Sequence, residues 1–356
     1  MTTGAPLQLA IVGVGRMGAF HARKLATLDA ISIVGVADVS EELVVALADE
    51  LGGIATYPSP DALLGAPDVE AWLIATPTAT HPEVVQKALD NGLHVLCEKP
   101  LALDPEAGAE LSAMARAKGL VLQVGFWRRF SPPWVRAKEL LEGGAVGRPL
   151  LVRLTQWDAN PPPPEFCDPE VSGGLAIDCG IHEFDLVEWL TGLSIRRVDA
   201  RRLPVVDARL EEVGDVDNLL AVLDLDGGAV AIVDLSRNAR YGDDVRTEVL
   251  GSEGALFVDL LPEGRTRLGD ANGLRVVDGS ETPDAMASGV VGQAEAFAAA
   301  IRGGTIDLPD GSASNRAVTV GRAVQESTRS GVSVELASPQ RIANLAESDQ
   351  PDPLTG

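Results

Sequence analysis

The chain has 356 residues, 46% of them hydrophobic and 23% charged, a globular composition on a chain too long for one ordinary core. With 52 acidic against 29 basic side chains the net charge is −23, and a field of that sign repels phosphate, which argues against nucleic acid or an anionic membrane as partner. Three cysteines, Cys97, Cys167 and Cys179, share no repeated spacing, which argues against a disulfide scaffold and fits a reducing compartment.

The N-terminal MTTGAPLQLAIVG has no basic stretch before an apolar core, as a secretory signal would. No apolar run approaches the ~18 residues of a membrane helix, so a cytoplasmic protein is expected. Strand and helix patterns then alternate. LQLAIVG reads as a buried strand, followed by a helix from Met17 to about Leu28; ISIVGVAD and EELVVALADELG form the next pair. VEAWLIATP, HPEVVQKALDNG, LHVLCE, DPEAGAELSAMARAKG and LVLQVGF continue the series. Such alternation implies right-handed βαβ crossovers and a doubly wound parallel sheet with helices on both faces. This α/β domain is assigned to residues 1–126.

From about residue 150 the rhythm changes. Strand-like runs such as LLVRLTQWD, RRVDARRL, VDNLLAVLDLD, GAVAIVDLS, VRTEVLG, GALFVDLL and LRVVDG crowd together, joined by turns such as Asp226-Gly227-Gly228. Their spacing predicts a large, mostly antiparallel open sheet. Two helical patterns follow, VGQAEAFAAAIRG and ASNRAVTVGRAVQESTRSG. Residues 127–338 are therefore read as an α+β domain for substrate binding and oligomerisation, its last helices packing back on the first domain. Residues 339–356 are read as a flexible tail.

The first strand–helix junction, IVGVGRMGAFH, holds Gly13-x-Gly15-x-x-Gly18, with Arg16 and Met17 inside the motif. The first glycine permits a tight turn, the second lets backbone approach a pyrophosphate, and the third lets helix and strand pack closely. The helix N-terminus adds free N–H groups. Alone this pattern is weak. Here Asp38 follows Gly18 by 20 residues at the end of the second strand, where a carboxylate can accept from the adenosine ribose hydroxyls. Its bland reading is a turn residue. Together the features predict a Rossmann fold that binds NAD, favoured over NADP because Val39, not Arg, follows the aspartate. ATPTATHPE, with Thr76, Pro77 and His81, sits at the carboxyl edge where such sheets bind ligands. It is equally a helix start with Pro82 in its first turn.

LHVLCEKPLALDP (93–105) sets Glu98, Lys99 and Pro100 at a strand end. Lys and Glu are seldom buried without a partner, so the triplet is either a surface pair or a lysine held for use. GGLAIDCGIHEFDLVEWLTG (173–192) reads as one helix with Asp178, His182 and Asp185 at i, i+4 and i+7 on one face. His182 suits a general base because its ordinary pKa lies near neutrality. Asp178, one turn earlier, can orient the imidazole and raise its pKa. The bland reading is a solvated Asp/His face. A zinc site from Cys167, Asp178, Cys179 and His182 is not expected, since Cys179 points away from Asp178 and no CxxC or HxxxH spacing occurs.

The set IVGVGRMG, ATPTATH, CEKPLA and QVGFWRRF, followed by the D-x-x-x-H helix, resembles the Gfo/Idh/MocA family of NAD(P)-dependent sugar and cyclitol oxidoreductases over about residues 7–335. VGFWRRF, IDCGIHEFDLVEWL and RYGDD before TEVLGSEG are most similar to its inositol 2-dehydrogenases. The resemblance implies that Lys99 reaches between cofactor and substrate, with a cis bond often preceding the proline, and that Asp178 and His182 are the catalytic pair. It implies further that Arg128 and Tyr241 contact a polyol and that the protein is a homotetramer. Glu98 is placed to contact the nicotinamide ribose. Asp158 and Asn160, in QWDANPPPP, and Asp185 are candidates for further substrate hydroxyls. Trp127, Trp157 and the four prolines depart from the inositol enzymes.

The expectation is an NAD-dependent dehydrogenase that oxidises a secondary hydroxyl of a cyclitol. His182 would accept the proton and Lys99 steady the oxyanion. One rival is a sugar or anhydrosugar dehydrogenase or reductase of the same family. Another is a non-catalytic NAD-binding regulator, against which the intact Lys99, Asp178 and His182 set argues.

Overall fold

The apolar runs of the first third become a parallel sheet in the computed structural model, which describes residues 5–259, 265–270, 273–278 and 284–337. The chain alternates β1 (Leu7–Val12), α1 (Arg16–Leu25), β2 (Ile31–Ala37), α2 (Glu41–Glu50), β3 (Ala55–Tyr57), α3 (Pro60–Leu63), β4 (Ala71–Ile74), α4 (His81–Asp90), β5 (His94–Cys97), α5 (Pro105–Ala117) and β6 (Leu122–Val124). Helices cover both faces, so the strands are mainly apolar; Leu9 and Ile11 of β1 join one core cluster, Ala10 and Val12 the other. The order is β3-β2-β1-β4-β5-β6, all parallel. Winding reverses between β1 and β4, and the crevice at their carboxyl ends is where such sheets take ligands.

Several helices start on a side-chain cap. Ser40 accepts from the Leu43 N–H at 3.4 Å, Asp104 from that of Glu106 at 3.1 Å, and Asp310 from that of Ser312 at 2.8 Å. α1 differs: Gly15 precedes it with no side-chain cap, and its first turn holds no acid. The N–H groups left open there face the crevice end of β1.

The second half follows as α6 (Pro132–Glu142), β7 (Pro149–Trp157), α7 (Pro164–Cys167), α8 (Pro169–Ser172), α9 (Gly174–Asp178), α10 (Gly180–Thr191), β8 (Ile195–Arg202), α11 (Ala208–Glu212), β9 (Asn218–Leu225) and β10 (Val230–Ser236). It continues through β11 (Asp244–Gly251), β12 (Ala255–Asp259), β13 (Arg265–Asp270), β14 (Gly273–Asp278), α12 (Ala285–Ile301), α13 (Gly311–Ser330) and β15 (Val334–Glu335). The sheet runs β14-β13-β12-β11-β7-β10-β9-β8-β15. It is antiparallel apart from the parallel β7–β10 pair. β9 and β10 alternate buried with half-exposed residues, as a sheet covered on one face requires.

The single helix expected over 173–192 is corrected to two, α9 and α10, broken at Cys179. In a continuous helix the His182 N–H would donate to the Asp178 carbonyl. That carbonyl instead accepts from Lys99 Nζ at 2.6 Å, and the His182 N–H turns to the Cys179 carbonyl at 3.4 Å. The tail read at 339–356 lies outside the described residues, and among those described no helix is long and apolar enough to cross a membrane.

α12 returns to the first sheet. Its Ala294, Phe297 and Ala298 join the cluster of Leu9, Ile11, Leu25 and Leu47, and Gln123 of β6 donates to the Gln293 carbonyl at 3.1 Å. Phe297 is fully buried. Phe297→Ala is therefore expected to cost about 3–5 kcal/mol, read by denaturant unfolding; an unchanged midpoint would detach α12 from that core.

Candidate active site

The glycine loop is shaped by contact on two sides and by emptiness on the third. Gly13 has φ +87°, and a Cβ there would lie 2.7 Å from the Ala75–Thr76 backbone; at Gly18 it would lie 1.8 Å from the Gly13 carbonyl. A Cβ on Gly15 would meet nothing within 4 Å. Arg16 is exposed and Met17 half-buried on the first turn of α1. Asp38 stands at the end of β2, its Oδ2 accepting from the Val14 N–H at 2.7 Å and its Oδ1 from the Ser40 N–H at 3.0 Å. Each oxygen keeps a lone pair for a further donor. Open space over Gly15, the uncapped start of α1 and the Asp38 carboxylate fit a dinucleotide: pyrophosphate over the loop, ribose hydroxyls toward Asp38.

Two residues expected in the cofactor crevice have internal partners. Glu98 is buried, and its Oε1 lies 2.6 Å from His21 Nε2 of α1; burial would raise its pKa, but His21 and Lys99 outweigh it and hold the carboxyl below its ordinary value. One oxygen of Glu98 is thus taken by His21, and the other accepts, among the described residues, only from the Lys99 N–H at 3.3 Å. His81 is also buried, with Nδ1 2.7 Å from the Pro100 carbonyl and Nε2 2.9 Å from that of Thr76. It braces the loop after β4, where Thr76 and Pro77 stand, against the Lys99–Pro100 bond, which is cis.

Lys99 leaves the end of β5 and crosses to the second half. Its Nζ donates to the Asp178 carbonyl at 2.6 Å and to Asp178 Oδ1 at 3.2 Å. Burial alone would depress the lysine's pKa, but Asp178, with Cys179 and Glu98, reverses the sign and keeps the ammonium charged. Burial likewise opposes the Asp178 carboxylate, and Lys99 and Arg237 overcome it, so the group is ionised below its usual range.

His182 opens the inner face of α10, 9% exposed. Phe126 and Trp127 meet its ring edge-on at 6.1 Å, and its Nδ1 is sealed without a hydrogen-bond partner. Burial, then the charges of Arg128 and Lys99, push its pKa well below 6.5, so the imidazole is neutral. Asp178 does not contribute. The upward contribution expected from Asp178 is therefore corrected, while the opposing effect of burial dominates: that carboxylate faces Lys99 and Arg237, which lies 3.5 Å from its Oδ2.

The residues expected to hold substrate hydroxyls divide. Arg128 is 3% exposed, bonded to Glu183 and Gln156 and flanked by the Trp127 and Trp134 rings at 5.5 and 5.4 Å. It is a charged wall behind His182. Asp185 is closed off by Arg129, which grips both its oxygens at 2.8 and 2.5 Å, so a substrate contact there is corrected to a buried ion pair. Asp158 receives Gln156 on one oxygen and the Cys179 thiol, 3.2 Å away, on the other. Asn160 is exposed beyond it. Tyr241 is 66% exposed and donates to Asp244 Oδ2 at 2.7 Å; its neighbours reach the 158–160 loop instead, Ala239 N–H donating to the Asp158 carbonyl at 3.1 Å and Asp243 Oδ1 accepting from the Ala159 N–H at 2.7 Å. Among the described residues no group of three or more His, Cys, Asp or Glu side chains is placed to hold a metal ion. The sequence reading missed His21, Arg129, Gln156, Glu183 and Arg237. Only Arg237 carried a local signal, the inward register of β10.

Residues 7–126 match the family model described as an oxidoreductase family with an NAD-binding Rossmann fold, and residues 134–257 match the GFO/IDH/MocA C-terminal domain. The chain belongs to the Gfo/Idh/MocA oxidoreductase family. A Gfo/Idh/MocA relative, scyllo-inositol 2-dehydrogenase (NAD(+)) of Bacillus subtilis, is 35% identical over 268 residues, 75% of this chain and 78% of the relative. Myo-inositol 2-dehydrogenase of Thermotoga maritima is 35% identical over 269 residues, 76% and 80% of the two chains. Among solved structures, scyllo-inositol dehydrogenase of Lactobacillus casei with bound NAD(H) and scyllo-inositol aligns at a TM-score of 0.81 and 27% identity, covering 94% of this chain and 100% of that one. The Rossmann sheet, the mostly antiparallel second sheet and the NAD cofactor expected from the sequence are thereby borne out.

Because a carboxylate at the end of β2 would repel a 2′-phosphate on the adenosine ribose, kcat/KM is expected to favour NAD over NADP by about 10²-fold or more, the scale of a like-charge clash. Steady-state kinetics with both cofactors check this, and comparable values would contradict it.

Proposed function

We propose that the protein is an NAD-dependent cyclitol dehydrogenase, oxidising a secondary ring hydroxyl of a myo-inositol-like polyol to the ketone. One observation carries the reading. Lys99, at the carboxyl edge of the Rossmann sheet, donates to both the carbonyl and the carboxylate of Asp178, and the buried His182 follows four residues later, its imidazole favoured neutral by burial and by the charges of Arg128 and Lys99.

NAD, held by Gly13, Gly15 and Gly18 with the open N–H groups of α1 and by Asp38, supplies the carbon that accepts the hydride. The remaining work falls to side chains. His182 takes the hydroxyl proton, which a neutral imidazole can do without first losing one of its own. Lys99 donates to the same oxygen as negative charge develops, a preorganised donor in a site already shielded from water. Asp178 keeps that ammonium charged and aimed. Trp127 and Phe126 hold the imidazole plane by packing.

A second reading, a sugar or anhydrosugar, gains support from Asp185 and Arg128, whose internal partners leave fewer groups for ring hydroxyls than a fully hydroxylated cyclitol would use. The working form in this proposal is a cytoplasmic homotetramer. Three free thiols support the compartment. Half-exposed Leu220, Val222, Val230 and Ile232 on the outer side of the second sheet support burial against another copy.

A panel of cyclitols, sugars and anhydrosugars with NAD, followed through NADH absorbance, tests the reading; turnover of none of them would sink it. Lys99→Ala should keep NAD affinity and lose about 10²-fold or more in kcat, the scale for removing one preorganised donor. Unfolding in proportion to the lost activity would make Lys99 structural.

The base must be neutral to act, so kcat/KM for oxidation should rise as pH climbs through the His182 ionisation. Burial, Arg128 and Lys99 place that ionisation well below 6.5, which leaves a flat profile across neutrality. His182→Ala should remove the inflection and cost about 10²–10⁴-fold. Asp178→Asn should lower kcat without moving it. An inflection near 7 in the wild type would refute the neutral-base assignment.

A further inference from the structure

Arg237 is a buried charge that the chemistry above does not use directly. It continues the inward register of β10, the next buried position after Ala231, Val233 and Leu235, and is 1% exposed. Among the described residues none of its three guanidinium nitrogens makes a hydrogen bond. Buried polar groups are ordinarily bonded, and a guanidinium cannot shed its proton to escape. What surrounds it is charge at slightly longer range. Its Nη1 lies 3.5 Å from Asp178 Oδ2 and its Nη2 3.7 Å from Asp215 Oδ2.

Those two carboxylates stand at opposite ends of α9. Asp215 accepts from the Leu175 N–H with both oxygens, at 3.1 and 3.0 Å, at the start of the helix. Asp178 is its last residue. The Asp178 carboxylate is shared, Oδ1 toward Lys99 at 3.2 Å and Oδ2 toward Arg237. We propose that Arg237 is a positioning residue for the dehydrogenase reaction: it clamps α9 from both ends, holds the second oxygen of Asp178 and so fixes where Lys99 points. The proposal rests on the reading of Lys99 as the group that meets the substrate oxygen. Without Arg237, both carboxylate oxygens are free to turn to the ammonium and draw it out of the crevice. A merely structural arginine would act on the fold alone and be indifferent to the charge on Asp178.

The test is a double-mutant cycle of Arg237→Met and Arg237→Lys, each in the wild-type and Asp178→Asn backgrounds, with kcat and KM for the alcohol that the wild type turns over. Arg237→Met should lower kcat about tenfold or more with KM for NAD unchanged, whereas in Asp178→Asn the same change should cost less than about threefold. Arg237→Lys should restore most of the rate. Equal losses in both backgrounds, or no rescue by lysine, would overturn the proposal. Arg237→Gln, uncharged but still a donor, carries the same expectations should the methionine variant not fold.

A second readout needs no turnover. With both Asp178 oxygens turned to it, Lys99 is held more firmly as the ammonium, so acylation of Lys99 by isotope-labelled acetic anhydride, read by mass spectrometry on the apoprotein, should slow severalfold in Arg237→Met and not in Arg237→Lys. Unchanged labelling would overturn the role of Arg237 even in an active dehydrogenase. A wild type that oxidises no alcohol would overturn the functional reading and leave the labelling to decide on Arg237.

Discussion

A buried ammonium has to find acceptors, and Lys99 finds two on one residue, the carbonyl and the carboxylate of Asp178, 79 positions along the chain. Much else depends on that contact. It joins the end of β5 to the end of α9. It also takes the carbonyl that a continuous helix would give to the His182 N–H, at the point where α9 stops and α10 begins. Such a pair adds little net stability, because desolvating both ions offsets their attraction, yet losing one partner costs about 3–5 kcal/mol. It is better understood as a constraint on geometry.

The same economy of charge sets the protonation states. Two cations, Lys99 and Arg128, act on His182 through a water-poor surround, and both favour the neutral ring. Arg128 can sit there because Glu183 and Gln156 receive its donors and two indole faces cover its plane. Asp178 lies one turn away in sequence but faces Lys99 and Arg237. His182 thus feels the two cations and not the Asp178 carboxylate, although the helices of the two residues adjoin.

What could be read in advance was what depends on neighbours in sequence. Gly13, Gly15, Gly18 and Asp38 announce their site because the turn, the helix start and the strand end are all local. Lys99, Asp178 and His182 were legible as residue types in family order. Pairings across long separations were not. Helical spacing put Asp185 on the correct face but could not show that Arg129, 56 residues away, would close it; nor could the EKP triplet show Glu98 turning to His21, 77 residues away. Arg237 lies between these cases. Period two places it inward after Leu235, and a charge at an inward position needs a buried counter-charge.

The return of α12 has a consequence for synthesis. Translation runs at about 5–20 residues per second, and Gln123 is separated from its Gln293 acceptor by 170 residues. The first sheet therefore leaves the ribosome roughly 10–30 s before Ala294, Phe297 and Ala298 arrive to cover the Leu9, Ile11 and Leu25 side. During that interval the nascent chain carries an unroofed apolar strip beside a nearly complete nucleotide fold.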